Sequence, residues 1–336
     1  MRTLSSPPVH VIDPVTHSAS TGSYDGSLPR VNLADLGLGA AHSLAKRKRW
    51  VYVSIHTPEL LLGIAVVRLG YVSKAFTFAY DAQRGKIDSA ASVLGPTLAC
   101  NVGDDGHHGM SAVFSLPLPK LHVSITKPLG ERDVLVSVES TDLTVKARLD
   151  ASAARSISAI APLGGPGLIN ATEKRLLMPV VGEAISKGRK ISLDGALAGY
   201  DYTQGYMPRR TAWKWASVLG AATTGERVGV NLVEGFVGEA ECGVWVNDEL
   251  HAVGEGRFEH DPQNPLAPWR VTTTCGAVDL RFTPGDAHRE KTQLMVVASS
   301  FIQAAGRYSG TITLPGRPAL TLDGVLGVTE DQDTLW

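Results

Sequence analysis

From Trp50 onward the chain is broken into short runs, each alternating or β-branched and each bounded by Gly, Pro, Asp or Ser. "WVYVSIH", "GIAVVRL", "KAFTFAYD", "HVSIT", "DVLVSVES" and "LTVKARLD" follow in turn. That patterning is the signature of strands. In "DVLVSVES", Val134, Val136 and Val138 share one face, while Leu135, Ser137 and Glu139 share the other. "ESTD" then turns into "LTVKARL", which reads as a hairpin. From Lys190 the texture resumes with "RKISLDGALA", "RVGVNLV", "CGVWVND", "WRVTTTC", "AVDLRFTP" and "QLMVVASSF". "GTITLPGRPALTLDG" near the end is a second hairpin, with turn chemistry in "LPGRP". Strand and helix never alternate, and no G-x-G-x-x-G opens a helix, which argues against a doubly wound α/β fold. The expectation is a mainly β protein of two tandem β-barrels or β-sandwiches with few short helices.

A length of 336 residues suits two domains of roughly 150 residues each. Residues 1–30 are rich in Ser, Pro, Thr and Gly and are expected to form an extended or mobile leader. A short helix is expected over residues 36–46. Residues 160–188 break the strand texture: "APLGGPGLIN" reads as a loop, and "ATEKRLLMPVVGEAIS" as partly helical until Pro179 interrupts it. The domain boundary is therefore placed there, giving an N-terminal β domain over 31–185 and a C-terminal one over 186–336.

Hydrophobic residues make up 43% and charged residues 19%, so the chain is globular, with a net charge of −1. No basic excess favours nucleic acid. The run Lys46-Arg47-Lys48-Arg49 reads as the solvated end of a short helix. Cys100, Cys242 and Cys275 form no disulfide framework and fit a reducing compartment. The longest apolar run, "LLLGIAVV", is far short of the roughly 20 residues a spanning helix needs. With no apolar signal region at the N-terminus, the expectation is a cytoplasmic protein without an integral membrane segment.

Residues 201–220, "DYTQGYMPRRTAWKWASVLG", gather Asp201, Tyr202, Tyr206, Arg209, Arg210, Trp213 and Trp215. If residues 211–218 are extended, Thr211, Trp213, Trp215 and Ser217 point one way, and two indoles line one surface. They could equally fill a core. Arg209 and Arg210 call for carboxylates, from Asp201 or from the group Glu330, Asp331 and Asp333. Glu239 and Glu241, at i and i+2 before a strand, would repel if buried together, and one could then hold a proton near neutral pH. "DDGHHGM" mixes Asp104 and Asp105 with adjacent histidines but has no third ligand at metal spacing and reads as a solvated loop. "PLGGPGL" lacks the ending of a phosphate loop. No metal and no cofactor is called for.

Together these elements resemble a bacterial family, domain of unknown function 2804. The resemblance rests on Asp201-Tyr202-Thr203 with Gly205, and on Arg209 or Arg210 with Thr211, Trp213, Trp215 and Ala216. It continues through Asn231-Leu232, Glu241, Trp245, Phe282 with Pro284, Gln303 with Gly306, Gly327, Glu330, Asp331 and Trp336. Cys242 stands where the family pattern has Asn. More distantly, the family is similar to proteins of the carotenoid 1,2-hydratase type. The resemblance implies two lipocalin-like β domains and an apolar pocket with aromatics and a few acidic groups. It transfers no reaction.

Two readings follow. The first is a cofactor-independent acid/base enzyme (hydratase, cyclase or isomerase) acting on a hydrophobic small molecule. Asp201, Glu241 and Glu330 are its candidate catalytic acids. Tyr202, Tyr206, Trp213, Trp215 and Trp245 would line its pocket, and Arg209, Arg210 and Asp331 would support it. The second is a carrier of a lipophilic metabolite with the same pocket and no chemistry. Failing both, the aromatics are simply core.

Overall fold

The structure is a computed structural model and describes residues 2–103, 110–128, 130–293 and 298–335. The histidine-bearing stretch 104–109 and Trp336 lie outside the described residues. Two curled antiparallel sheets form two barrel-like domains, as the strand texture implied. Among the described residues the first sheet has fourteen strands and the second nine. The only α-helix among the described residues is Ala40–Lys46, preceded by a 3-10 turn over Leu33–Leu36.

Why some strands read as continuous apolar runs and others as clean alternation is visible in their surroundings. Asp133–Ser140 has one face in the first core and one toward solvent, so Val134, Val136 and Val138 alternate with polar or exposed neighbours. Arg47–His56, Leu60–Leu69 and Ser73–Asp81 are covered on both faces. Val51, Val53 and Ile55 enter the first core, while Tyr52, Leu61, Ala65, Phe76, Phe78 and Tyr80 belong to the second. A sheet buried on both sides has no polar face to show.

The stretch expected to be loop and helix is the largest departure. Ile169–Ser186 is one strand of 18 residues. It pairs with Ser156–Pro162 as far as Arg175 and with Leu197–Tyr206 as far as Pro179, then with Leu143–Asp150 from Val180 and Arg189–Ser192 from Glu183. The ladder slips between Arg175 and Met178, and Leu177 sits there at φ +67°. A bulge of this kind bends a long strand so that it serves two parts of a curled sheet. Pro179, which suggested a broken helix, lies just past it.

Arg189–Ser192 and Leu197–Tyr206 also join the first sheet, although the texture change placed them after the boundary at residue 185. The chain passes from the first sheet to the second between Tyr206 and Arg210. The leader is extended but docked: Gly22–Asp25 pairs with Ser156–Pro162, and Val11, Ile12 and Leu28 are fully buried. The basic run is not a solvated patch either. Only Lys46 ends the helix; the other three begin the strand Arg47–His56. Lys48 is buried and donates to the Pro208 carbonyl at 2.7 Å.

Candidate active site

Leu197–Tyr206 alternates, so Asp201 and Thr203 face one way and Tyr200, Tyr202 and Tyr206 the other. The ladder then sets two rows across the first sheet. One row runs Lys174, Asp201, Tyr52, Ala65 and Phe76; the next runs Thr172, Thr203, Trp50 and Val67. Two rows of the second sheet face them. Val233, Trp215, Glu330 and Gln303 make the first, and Trp213, Gln332 and Phe301 the second. The hollow between these rows has an open volume of about 90 Å³. Phe236 and Glu241 complete its wall from the segment that follows the strand Arg227–Gly235. The cavity therefore lies between the two sheets, with walls from both.

All three acids expected from the sequence line this hollow. Asp201 accepts from Thr203 Oγ1 at 2.6 Å, Thr172 Oγ1 at 3.3 Å and Trp50 Nε1 at 3.1 Å. Lys174 Nζ lies 2.7 Å from Asp201 Oδ2 and 3.3 Å from Glu241 Oε2. Burial works against that ammonium, but the Asp201 and Glu241 carboxylates outweigh it and hold Lys174 above the usual lysine range. Burial raises Glu241, with Lys174 opposing and Asp201 reinforcing.

Glu330 is different: among the described residues no cation forms an ion pair with it. Its Oε1 accepts from Trp213 Nε1 at 2.7 Å and its Oε2 from Gln303 Nε2 at 2.8 Å. Burial pushes its pKa from the usual 4.5 up to about 7, against the pull of those two donors, and Asp201 adds to the rise. Three ionised acids around one ammonium would leave two net negative charges in a dry space. A proton on Glu330 halves that.

The indoles organise the acids. Trp50 and Trp213 stack with centroids 5.8 Å apart at 17°, and each donates its N–H to a different carboxyl group, Asp201 and Glu330. Trp215 donates to Asn231 Oδ1 at 2.8 Å, and Asn231 Nδ2 donates to the Glu241 carbonyl at 2.9 Å. Beside Phe76 and Phe301 lies a second, half-buried polar group: Lys74 lies over both rings and pairs with Glu290, which also meets the buried His288.

Of the five aromatics expected to line the pocket, Trp213 and Trp215 do. Tyr202 and Tyr206 point into the first core, because residues adjacent to Asp201 or odd-numbered steps from it cannot share its face. Tyr202 donates to the Gly103 carbonyl at 2.7 Å. Trp245 is packed in a separate cluster, with Nε1 bonded to the Arg155 carbonyl at 2.9 Å. Arg210 forks onto Asp333 at 2.6 and 2.9 Å on the exposed surface, and Asp331 meets His260 at 2.9 Å. Arg209 is exposed. The two glutamates do not form a repelling pair: a 3-10 turn over Gly238–Glu241 buries Glu241 and leaves Glu239 at the surface near Arg2. Cys242 lies outside the cavity lining, its thiol pushed by burial up to about 12.

Sequence reasoning missed Lys174, Trp50, Tyr52 and Phe236. The signal for Lys174 was the alternation Thr172, Lys174 within a run read as helical. Among the described residues no three His, Cys, Asp or Glu side chains converge as metal ligands, and no helix is long and apolar enough to cross a membrane.

Comparison with known proteins fits this architecture. The pattern of the family domain of unknown function 2804 matches residues 4–336. The chain belongs to that family. No curated protein matches it by sequence. Among solved structures it is similar to kievitone hydratase from Nectria haematococca at a TM-score of 0.51 and 13% identity, over 94% of this chain and 95% of that one. It is also similar to CghA, solved with Sch210972, at a TM-score of 0.52 and 10% identity, over 86% and 88% of the two chains. At such identities the likeness is one of fold.

Proposed function

We propose that the family member described here is a cofactor-independent acid/base enzyme of the hydratase type, acting on an unsaturated, largely apolar small molecule held between the two sheets. The observation that carries this reading is Glu330: a carboxyl buried in an aromatic-walled hollow, with a pKa of about 7, opposite the Asp201–Lys174–Glu241 cluster. An acid of that strength keeps its proton near neutral pH and can give it up within the cavity. In a hydration, the Glu330 proton passes to one alkene carbon and its electron pair stays on Glu330. Water adds to the other carbon, and Asp201 or Glu241 takes the proton that water sheds. The rings of Trp50, Trp213, Trp215 and Phe76 would face the positive charge that develops, a contact aromatic faces favour. Similarity to a protein named as a hydratase agrees with this reading in kind.

The carrier reading has one observation in its favour. Both oxygens of Asp201 and of Glu330 already accept hydrogen bonds from the protein, so the acids are satisfied without a substrate. The two readings separate by incubating the protein with unsaturated terpenoids and polyketides in ¹⁸O-labelled water. The enzyme reading expects one labelled water per product, with turnover at least about 100-fold lower in Glu330→Gln. A bound compound that emerges unlabelled supports the carrier, and full turnover in Glu330→Gln removes Glu330 from the role of acid.

A further inference from the structure

Tyr52 stands in the middle of the cavity wall, next to Asp201 on one strand and Ala65 on the other. Its ring meets Trp215 edge-on at 5.4 Å and tilts against Phe76 at 6.3 Å. The residue is only 7% exposed, and its hydroxyl has no hydrogen-bond partner among the described residues. The Trp50, Trp213 and Trp215 N–H groups, both Asp201 oxygens and both Glu330 oxygens all have partners, while Gln303 Oε1, on the facing row, has none among the described residues. A buried hydroxyl without a partner is unfavourable, and Phe would fill the same space without it. Burial, and then the charges of Glu330 and Asp201, push the phenol well above the ordinary tyrosine range. It therefore stays a neutral donor at every pH where the neighbouring acids titrate.

We infer that the Tyr52 hydroxyl is the anchor for an oxygen atom of the ligand. The inference rests on the reading of the cavity as a ligand site and narrows its substrate class. The ligand is an apolar molecule that carries a carbonyl or hydroxyl oxygen, brought to about 2.7 Å from the phenol. A pure hydrocarbon leaves the donor unused. A carboxylate is disfavoured, because its charge would sit beside Asp201 and Glu330.

The test compares cyclohexanone with methylenecyclohexane, which have nearly the same shape and differ in C=O against C=CH₂, by ligand-observed NMR titration of the wild type and Tyr52→Phe. Cyclohexanone should bind the variant about tenfold more weakly than the wild type. Methylenecyclohexane should bind both alike, and the variant should melt no lower than the wild type. Equal cyclohexanone affinity in the two proteins overturns the anchor and leaves the cavity standing, as does a wild type that takes only the hydrocarbon. A wild type that binds neither probe overturns the ligand site and the anchor together.

Discussion

At the scale of the residue, the molecule turns on how one carboxyl group is solvated. Among the described residues Glu330 has two N–H donors and no paired cation, so burial wins over hydrogen bonding and its pKa climbs from 4.5 to about 7. Between those values the folded chain holds a proton that the unfolded chain has released. Stability should therefore fall as pH rises from about 4.5 to about 7, by up to about 3 kcal/mol from this group. Melting curves across that window check it, and Glu330→Gln should flatten this part of the dependence. The neighbours set the value in predictable directions. Trp213→Phe removes a donor to the carboxylate and should move the Glu330 midpoint up; Asp201→Asn removes a like charge and should move it down. A titration followed by the carboxyl infrared band distinguishes the two shifts.

At the scale of the element, the long bent strand Ile169–Ser186 does most of the positioning. On one face it presents Lys174 to the cavity and the Thr172 hydroxyl to Asp201. On the other, Glu173 accepts from the Leu28 N–H at 2.8 Å and from Tyr200, while Arg175 reaches Ser27, Ala151, Ala154 and Ser156. That buried pair ties the N-terminal arm to the first sheet. Glu173→Ala would strand the Arg175 guanidinium and should cost about 3–5 kcal/mol, seen as a lower denaturation midpoint. This element was also the one least legible in the sequence. Its Ala, Glu, Lys and Leu content favours helix, and Pro179 looked like a helix break; pairing with strands on both edges overrode that propensity. Runs such as "DVLVSVES" were legible because one face meets water, and the alternation survives in the letters. Tyr202 and Tyr206 were misplaced although the same period-of-two rule, applied to Asp201, turns both away from it.

At the scale of the whole molecule, the site exists only because two sheets face each other. The first supplies Lys174, Asp201 and Tyr52, the second Glu330 and Trp213, and the segment after Arg227–Gly235 supplies Glu241 and Phe236. The later half announced its share through clustered Trp, Arg and acidic residues. The earlier half did not, because strands buried on both faces look alike whichever side holds a cavity. Ala65 lies on the cavity wall, and Ala65→Phe should fill the space, abolish binding of small apolar probes and leave the circular dichroism of the sheets unchanged. The proposed chemistry stands on the protonation of one buried acid, and its most direct measurement is the difference infrared titration of wild type against Glu330→Gln. A carboxylic-acid band that is lost with a midpoint near pH 7, and is missing from the variant, is the predicted result. A Glu330 already ionised at pH 5 would contradict it.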